Sequence, residues 1–150
     1  MSINKGLFTS DNECLETPQS LFDELDREFH FTLDAAATPD NAKCARFFTP
    51  QDDALKQSWQ TGGGVFCNPP YGRKISDFVK KAYTEFQNGV SPIVLLIPSR
   101  TDTRYFHNYI YGKAEIRFLQ GRLYFTNPNG SNEGRAPFPS MIVIYRNGAR

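Results

Sequence analysis

No stretch of this sequence is apolar for the roughly 20 residues that a membrane-crossing helix needs. Residues 1–11 have neither the charged start nor the apolar core of a secretory signal. Cysteine is scarce: Cys14, Cys44 and Cys67 are odd in number, with no C-x-x-C pair and no histidine nearby. That pattern favours reduced thiols in a cytoplasmic protein over a disulfide framework or a zinc site. The two histidines, His30 and His107, have no partners in the sequence and read as surface or structural residues, so no nucleophile with a paired base is expected. Repeats and breaks in composition are also absent. What remains is 150 residues, 39% hydrophobic and 22% charged, enough for one ordered domain and too few for two ordinary ones.

Net charge is nearly absent too, at +1, but it conceals a division. Residues 1–70 hold 5 Lys/Arg against 11 Asp/Glu, a net of −6, and residues 71–150 hold 12 against 5, a net of +7. A basic second half suits a polyanionic partner; the alternative is an ordinary mixed surface.

Residues 1–14 read as a flexible lead-in. Thr17-Pro18 opens a helix, with Thr as its N-cap and Pro at the first helical position. Leu21, Phe22, Leu25 and Phe29 follow at helical spacing. Residues 29–37 read as a strand ending in Asp34-Ala35-Ala36-Ala37, residues 44–49 as a short element of open type, and Asp52-Asp53 as the cap of a small helix through Leu55 to Trp59. Gly64 to Cys67 is a short buried strand. Ile75, Phe78, Val79, Ala82, Tyr83 and Phe86 make a helical stripe that stops at Asn88-Gly89. Residues 92–98 form a continuous apolar run, as in a strand buried on both faces. A helix over Thr103 to Tyr111, capped by Asp102 or Thr101, is followed by strand pairs around Gly121 and a last strand over Ser140 to Tyr145. Asn127 to Gly134 is the one loop expected to be mobile. Alternating strands and helices with a β-rich C-terminal part predict an α/β domain around a mostly parallel sheet.

The feature with most chemical content is Asn68-Pro69-Pro70-Tyr71, directly after the strand at 64–67. Prolines have no N–H for a ladder, so this segment leaves the sheet in an extended course. It holds an amide oxygen, a Pro carbonyl and an aromatic face at the carboxyl end of a strand, the edge where open α/β sheets bind ligands. Two acceptors beside a ring suit an exocyclic amine on a flat base. Hydrogen bonds from such an amine to Asn68 and to the Pro69 carbonyl would strengthen as charge develops on nitrogen, each worth about 2–4 kcal/mol. Stacking on Tyr71 adds roughly 1–3 kcal/mol. The plainer alternative is a strand-ending turn with a packed tyrosine. Asp34 with Ala35 and Ala36 offers a carboxylate and close backbone approach to a cofactor; alternatively the acid caps a turn. Asp52 and Asp53 could accept from ribose hydroxyls or an adenine amine, but an Asp at a helix start is more often a cap. Arg73 and Lys74 lie just beyond the base pocket, where the phosphates of a flipped nucleotide would fall. Arg100 stands at the same edge, whereas Lys80 and Lys81 read as a solvated helix face.

These residues, in this order, resemble the phage-type DNA N6-adenine methyltransferases related to the Dam group. The resemblance runs from Thr17-Pro18 to Pro137-Phe138-Pro139-Ser140. It includes Leu33 to Ala37, Asn41 to Cys44, Asp53-Ala54-Leu55 with Trp59, Asn68 to Gly72, Leu95 to Pro98, Arg100 to Thr103 and Gly121 to Phe125. It implies a Rossmann-like S-adenosylmethionine methyltransferase fold, S-adenosylmethionine as donor and adenine in DNA as acceptor. Thr17 and Pro18 are then expected near the methionine part of the donor, Asp34, Ala35 and Ala36 at the donor loop, and Asp53 at the adenosine. Asn68, Pro69, Pro70 and Tyr71 would be catalytic, and Arg73, Lys74, Arg100 and Arg122 would contact DNA. The usual glycines of the donor loop are missing, and the short interval from Asp34 to Asn68 implies reduced elements there. Acceptors such as an RNA base or a protein glutamine amide, or a non-catalytic DNA-binding module, are the alternatives.

Overall fold

A computed structural model describes residues 16–126 and 132–147. The lead-in expected over 1–14, with Cys14, lies outside the described residues, as do positions 127–131 of the expected mobile loop. Five strands form the main sheet: β1 (Phe31–Asp34), β2 (Gly64–Cys67), β3 (Ile93–Pro98), β4 (Glu115–Phe118) and β7 (Ser140–Tyr145), in the order β1-β2-β3-β7-β4. Two short strands, β5 (Tyr124–Thr126) and β6 (Asn132–Arg135), form a separate antiparallel pair. Thus part of the segment expected to be a loop is strand.

β1, β2 and β3 are parallel, and β7 runs antiparallel to both β3 and β4. The expectation of a mostly parallel sheet therefore holds for its first half, and the sheet as a whole is mixed. The cause is a connection that never crosses the sheet: after β4 the chain stays at the carboxyl edge, where Leu119 N donates to Ser140 O at 3.1 Å. A strand re-entering from the edge its neighbour has just left must run backwards. The strand pairing expected around Gly121 is likewise corrected, because β4 pairs with β7 and β5 with β6.

Helix α1 (Gln19–Phe29) and helix α2 (Lys74–Gln87) cover opposite faces. Neighbouring residues of one strand point to opposite sides: the Tyr145 ring packs against Tyr83 and Phe86 of α2, while Arg146 lies over Phe29 of α1 at 5.4 Å. Phe22 and Phe66 meet edge to face at 5.2 Å on the α1 side. Every residue of β2, β3 and β7 is buried, as the apolar runs predict. Among the described residues no helix is long and apolar enough to cross a membrane.

Several local expectations change. α1 begins at Gln19 with Pro18 at the N-cap and no side-chain cap, so Thr17 does not cap it. Phe29 belongs to the helix, and His30, in a left-handed conformation, separates it from a β1 shorter than expected. The small helix expected at 55–59 is a 3-10 turn, Ala54–Lys56, and Asp52 instead accepts from Thr49 N at 2.8 Å. Phe106–Ile110 is a π-helical turn with Tyr105 at its N-cap; Thr103 Oγ1 accepts from Phe106 N at 3.3 Å, and neither Asp102 nor Thr101 caps it. His107 does have a partner, donating from Nε2 to Thr101 O at 2.8 Å.

Candidate active site

Adjacent parallel strands carry the two central side chains to one edge. Asp34 ends β1 in register with Phe66 of β2, and Asn68 follows β2 directly. Around their carboxyl ends opens a cavity of about 220 Å³. Its walls include Thr17, Asp34, Ala35, Ala36, Asp53, Asn68, Pro70 and Lys74 from the predicted set. Pro18, Pro69, Tyr71, Arg73, Arg100 and Arg122 do not line it.

Asp34 is 3% exposed. Its backbone pairs with the segment at 46–48, donating to Arg46 O at 3.1 Å and accepting from Phe48 N at 3.0 Å. That segment makes a single parallel bridge to β1, between Phe47 and Asp34. The carboxylate accepts from Lys43 N at 3.0 Å and Ala36 N at 3.3 Å, so it clamps the loop after β1 around the cavity. Burial pushes its pKa up to about 6, against the lowering effect of those two N–H groups and the Lys43 charge. Ala35 and Ala37 are held by bonds to Phe66 O and Phe48 O, both 2.9 Å, and their small side chains leave the cavity open.

The opposite wall hangs from α2. Asp53 sits in a left-handed conformation (φ 58°), rare for a residue with a side chain, and its carboxylate is 3.8 Å from Lys56 Nζ. Ala54 and Leu55 follow in the 3-10 turn and line the cavity beside it. Fully buried Trp59 pins this turn, donating from Nε1 to Ala54 O at 3.0 Å. Trp59 N in turn donates to Glu85 Oε1 at 2.6 Å, and Glu85 Oε2 accepts from Lys81 Nζ at 3.3 Å.

Asn68 is 9% exposed and donates from Nδ2 to Thr17 Oγ1 at 3.1 Å. Tyr71 is buried, with its ring edge-on to Phe138 at 5.5 Å. Burial pushes its hydroxyl pKa up, so it stays protonated. Arg73, Lys74, Arg100 and Arg122 are all exposed, and Arg122 Nη1 donates to Ala136 O at 3.4 Å. They follow β2, β3 and β4 at the carboxyl edge; Lys74 reaches the cavity wall, and Arg73, Arg100 and Arg122 form a basic rim outside it.

Sequence reading missed Glu16, Lys43, Phe48, Phe78 and Glu85. Lys43 was seen only as part of a motif, and Phe78 only as a core position of its helix. Glu85 did have a signal: it stands three residues after Ala82, on the apolar stripe of α2, where an acid must find a buried partner. Glu16 lines the cavity, and burial raises its carboxyl pKa against the opposing charge of Lys43. Burial also pushes the Cys44 thiol up to about 12 and Cys67 well above its ordinary value, so neither is a thiolate nucleophile. Among the described residues no group of three or more His, Cys, Asp or Glu could hold a metal.

A 220 Å³ cavity lined by a buried acid (Asp34), a half-buried one (Glu16) and an amide, with exposed arginines outside, suits a small molecule carrying positive charge beside a nucleic-acid base. Comparison with known proteins points the same way. The chain is 31% identical over 122 residues to a DNA N-6-adenine-methyltransferase of Escherichia phage T1, covering 79% of this chain and 50% of the relative. It is 28% identical over 142 residues to a DNA N-6-adenine-methyltransferase of Haemophilus phage HP1, covering 91% and 80%. The chain thus spans half the length of the phage T1 protein. The profile of one family matches residues 6–149, nearly end to end. The chain belongs to the DNA N-6-adenine-methyltransferase (Dam) family.

Proposed function

We propose that this chain is an S-adenosylmethionine-dependent enzyme that methylates the N6 amine of adenine in DNA, acting as a single Rossmann-like methyltransferase domain. Its setting is the cytoplasm of a bacterium carrying a phage or prophage. The observation that carries the reading is the shared cavity: a buried carboxylate (Asp34) and the Asn68 amide line it together, at the carboxyl ends of neighbouring parallel strands.

The residues present fit the donor. Asp34 and Glu16 suit its cationic groups, and Ala35 and Ala36 admit it closely. Asp53 suits ribose hydroxyls or an adenine amine, beside apolar Leu55 and Phe78 for the ring. Bound S-adenosylmethionine supplies a methyl group activated by a sulfonium. The protein's part is then to orient and to polarise. Asn68 Oδ1 and the Pro69 carbonyl accept the N6 hydrogens, favouring a lone pair localised on nitrogen, and the bonds tighten as that nitrogen becomes positive. No covalent enzyme intermediate is required, in keeping with two thiols held protonated.

Duplex DNA hides N6 within the stack, so the target base is flipped toward the Asn68 segment. Tyr71 is the ring it stacks on; because Tyr71 is covered, the base must displace the neighbouring chain to reach it. Arg73, Lys74, Arg100 and Arg122 take the phosphates. The basic rim favours nucleic acid over a protein glutamine as acceptor.

The test is methyl transfer by purified protein to unmethylated plasmid DNA, RNA and protein acceptors, read as modified nucleosides or amides by mass spectrometry. The expected product is N6-methyladenine in DNA. Asn68→Ala should lower turnover about 100- to 1000-fold while donor binding persists. Methylation confined to RNA or protein, or no donor binding by the wild type, would overturn the reading.

A further inference from the structure

The segment between β3 and β4, residues 99–114, holds the cations Arg100, Arg104 and Lys113 and a single acid, Asp102. Arg100, Asp102 and Arg104 are all exposed, and they follow β3 at the carboxyl edge it shares with β2. The turn that bears them is braced on several sides. Ser99 N donates to Pro139 O at 2.9 Å, Thr103 Oγ1 donates to Arg100 O at 2.8 Å, and His107 Nε2 donates to Thr101 O at 2.8 Å. Pro139 adjoins Phe138, whose ring packs on Tyr71, so the turn lies beside the Asn68-Pro69-Pro70-Tyr71 segment. Buried Tyr105 anchors the turn from below and is close enough to Tyr71 to act on it electrostatically.

An exposed acid beside a helical turn and two arginines has two ordinary uses, and Asp102 serves neither. It does not cap the π-helical turn, and among the described residues no side-chain hydrogen bond or ion pair joins it to Arg100 or Arg104. Phosphates repel a carboxylate, so an acid on a DNA-facing turn requires a donor on the DNA itself. A carboxylate only accepts hydrogen bonds. The donors that a duplex presents in its major groove are the exocyclic amines of cytosine and adenine, N4 and N6. Asn68 and Pro69 take the amine of the target base, which leaves the amine of a neighbouring one.

We propose that Asp102 is a specificity-determining residue that accepts a hydrogen bond from the exocyclic amine of a base beside the target adenine. This rests on the adenine-methylation reading above and extends it from chemistry to choice of sequence. The flanking arginines offset the repulsion from nearby phosphates, and the braced backbone presents the carboxylate at a fixed place. A thymine or guanine at the same position would turn a carbonyl oxygen toward the carboxylate, so the wrong base is rejected as well as unrewarded.

The experiment gives the purified protein a pool of duplexes with one adenine in random flanking sequence, and counts N6-methyladenine for each sequence. The wild type should favour cytosine or adenine at one flanking position, on one strand or the other. Asp102→Ala should lose about 10- to 100-fold of that discrimination, with preferences elsewhere and the donor KM unchanged. Asp102→Asn keeps an acceptor oxygen and should retain part of it. A further duplex carries the favoured base without its amine, as purine for adenine or 2-pyrimidinone for cytosine. That change should cost the wild type the same factor and cost Asp102→Ala nothing more. An unchanged profile in Asp102→Ala, an equal rise in methylation of every sequence, or a wild type without preference overturns the inference. Failure of the wild type to methylate any DNA would instead remove the reading on which the inference rests, and is seen in the preceding assay.

Discussion

Burial holds the Asp34 carboxyl at a pKa of about 6, where an exposed aspartate lies near 3.8. Between those values the folded protein keeps a proton that the unfolded chain has released. Stability from this group is therefore fully present below the unfolded pKa, falls as pH rises through the window from 3.8 to about 6, and is level above it. The full swing is about 3 kcal/mol. Asp34→Asn should remove it, so the wild type and this variant should differ more in urea midpoint at pH 7 than at pH 4.5, the variant gaining relative stability at the higher pH. A cationic donor reverses the sign for binding: it favours the ionised acid and expels the proton. Donor affinity measured by calorimetry should rise with pH up to about 6, approaching tenfold per pH unit, and then level off, with proton release detectable as a buffer-dependent heat. A flat profile across pH 4.5–7 would separate Asp34 from the donor.

At the scale of elements, the cavity wall that carries Asp53 depends on α2. Glu85 accepts the Trp59 backbone N–H, and the Trp59 indole fixes the 3-10 turn. Glu85→Ala leaves that buried N–H without its partner, a cost of about 1–3 kcal/mol, whereas Glu85→Gln keeps an acceptor. The expected outcome in steady-state kinetics is a raised donor KM for Glu85→Ala with kcat changed far less, and recovery toward wild type for Glu85→Gln.

This linkage also marks where sequence reading stops. The α2 stripe and the three fully buried strands were legible because their apolar residues recur at one period and are long enough to fix it. Thr17 was misread because a Thr before a Pro has the local chemistry of a cap. Its observed partner comes from the segment just after β2, 51 positions on. The β4 and β5 strands were recognised but paired wrongly, since a glycine between strands signals a turn without saying which partner each strand finds. Asp34 and Asn68 were found as strand-ending polar residues; that Glu16, Lys43 and Glu85 support the same cavity follows only from three-dimensional packing.

For the whole molecule, the opposed charges of the two halves of the sequence become an inside and an outside. Acids from the first half, Glu16, Asp34 and Asp53, face the cavity, and exposed Arg73, Arg100 and Arg122 from the second half lie along the rim at the carboxyl edge. The arrangement separates the two binding tasks by charge. On the methyltransferase reading proposed above, a cationic donor would meet the acids of the cavity, and a polyanion would meet the arginines of the rim. Each rim arginine that neutralises a phosphate releases condensed counterion, so replacing it with Gln should reduce the slope of log affinity against log salt by about 0.9. Arg73→Gln, Arg100→Gln and Arg122→Gln are each expected to do so while leaving donor affinity unchanged. Lys80→Gln, on the exposed face of α2, should leave the slope at its wild-type value. Equal slopes for all four variants would mean that the duplex lies elsewhere on the surface, and the target base would then need another route to Asn68.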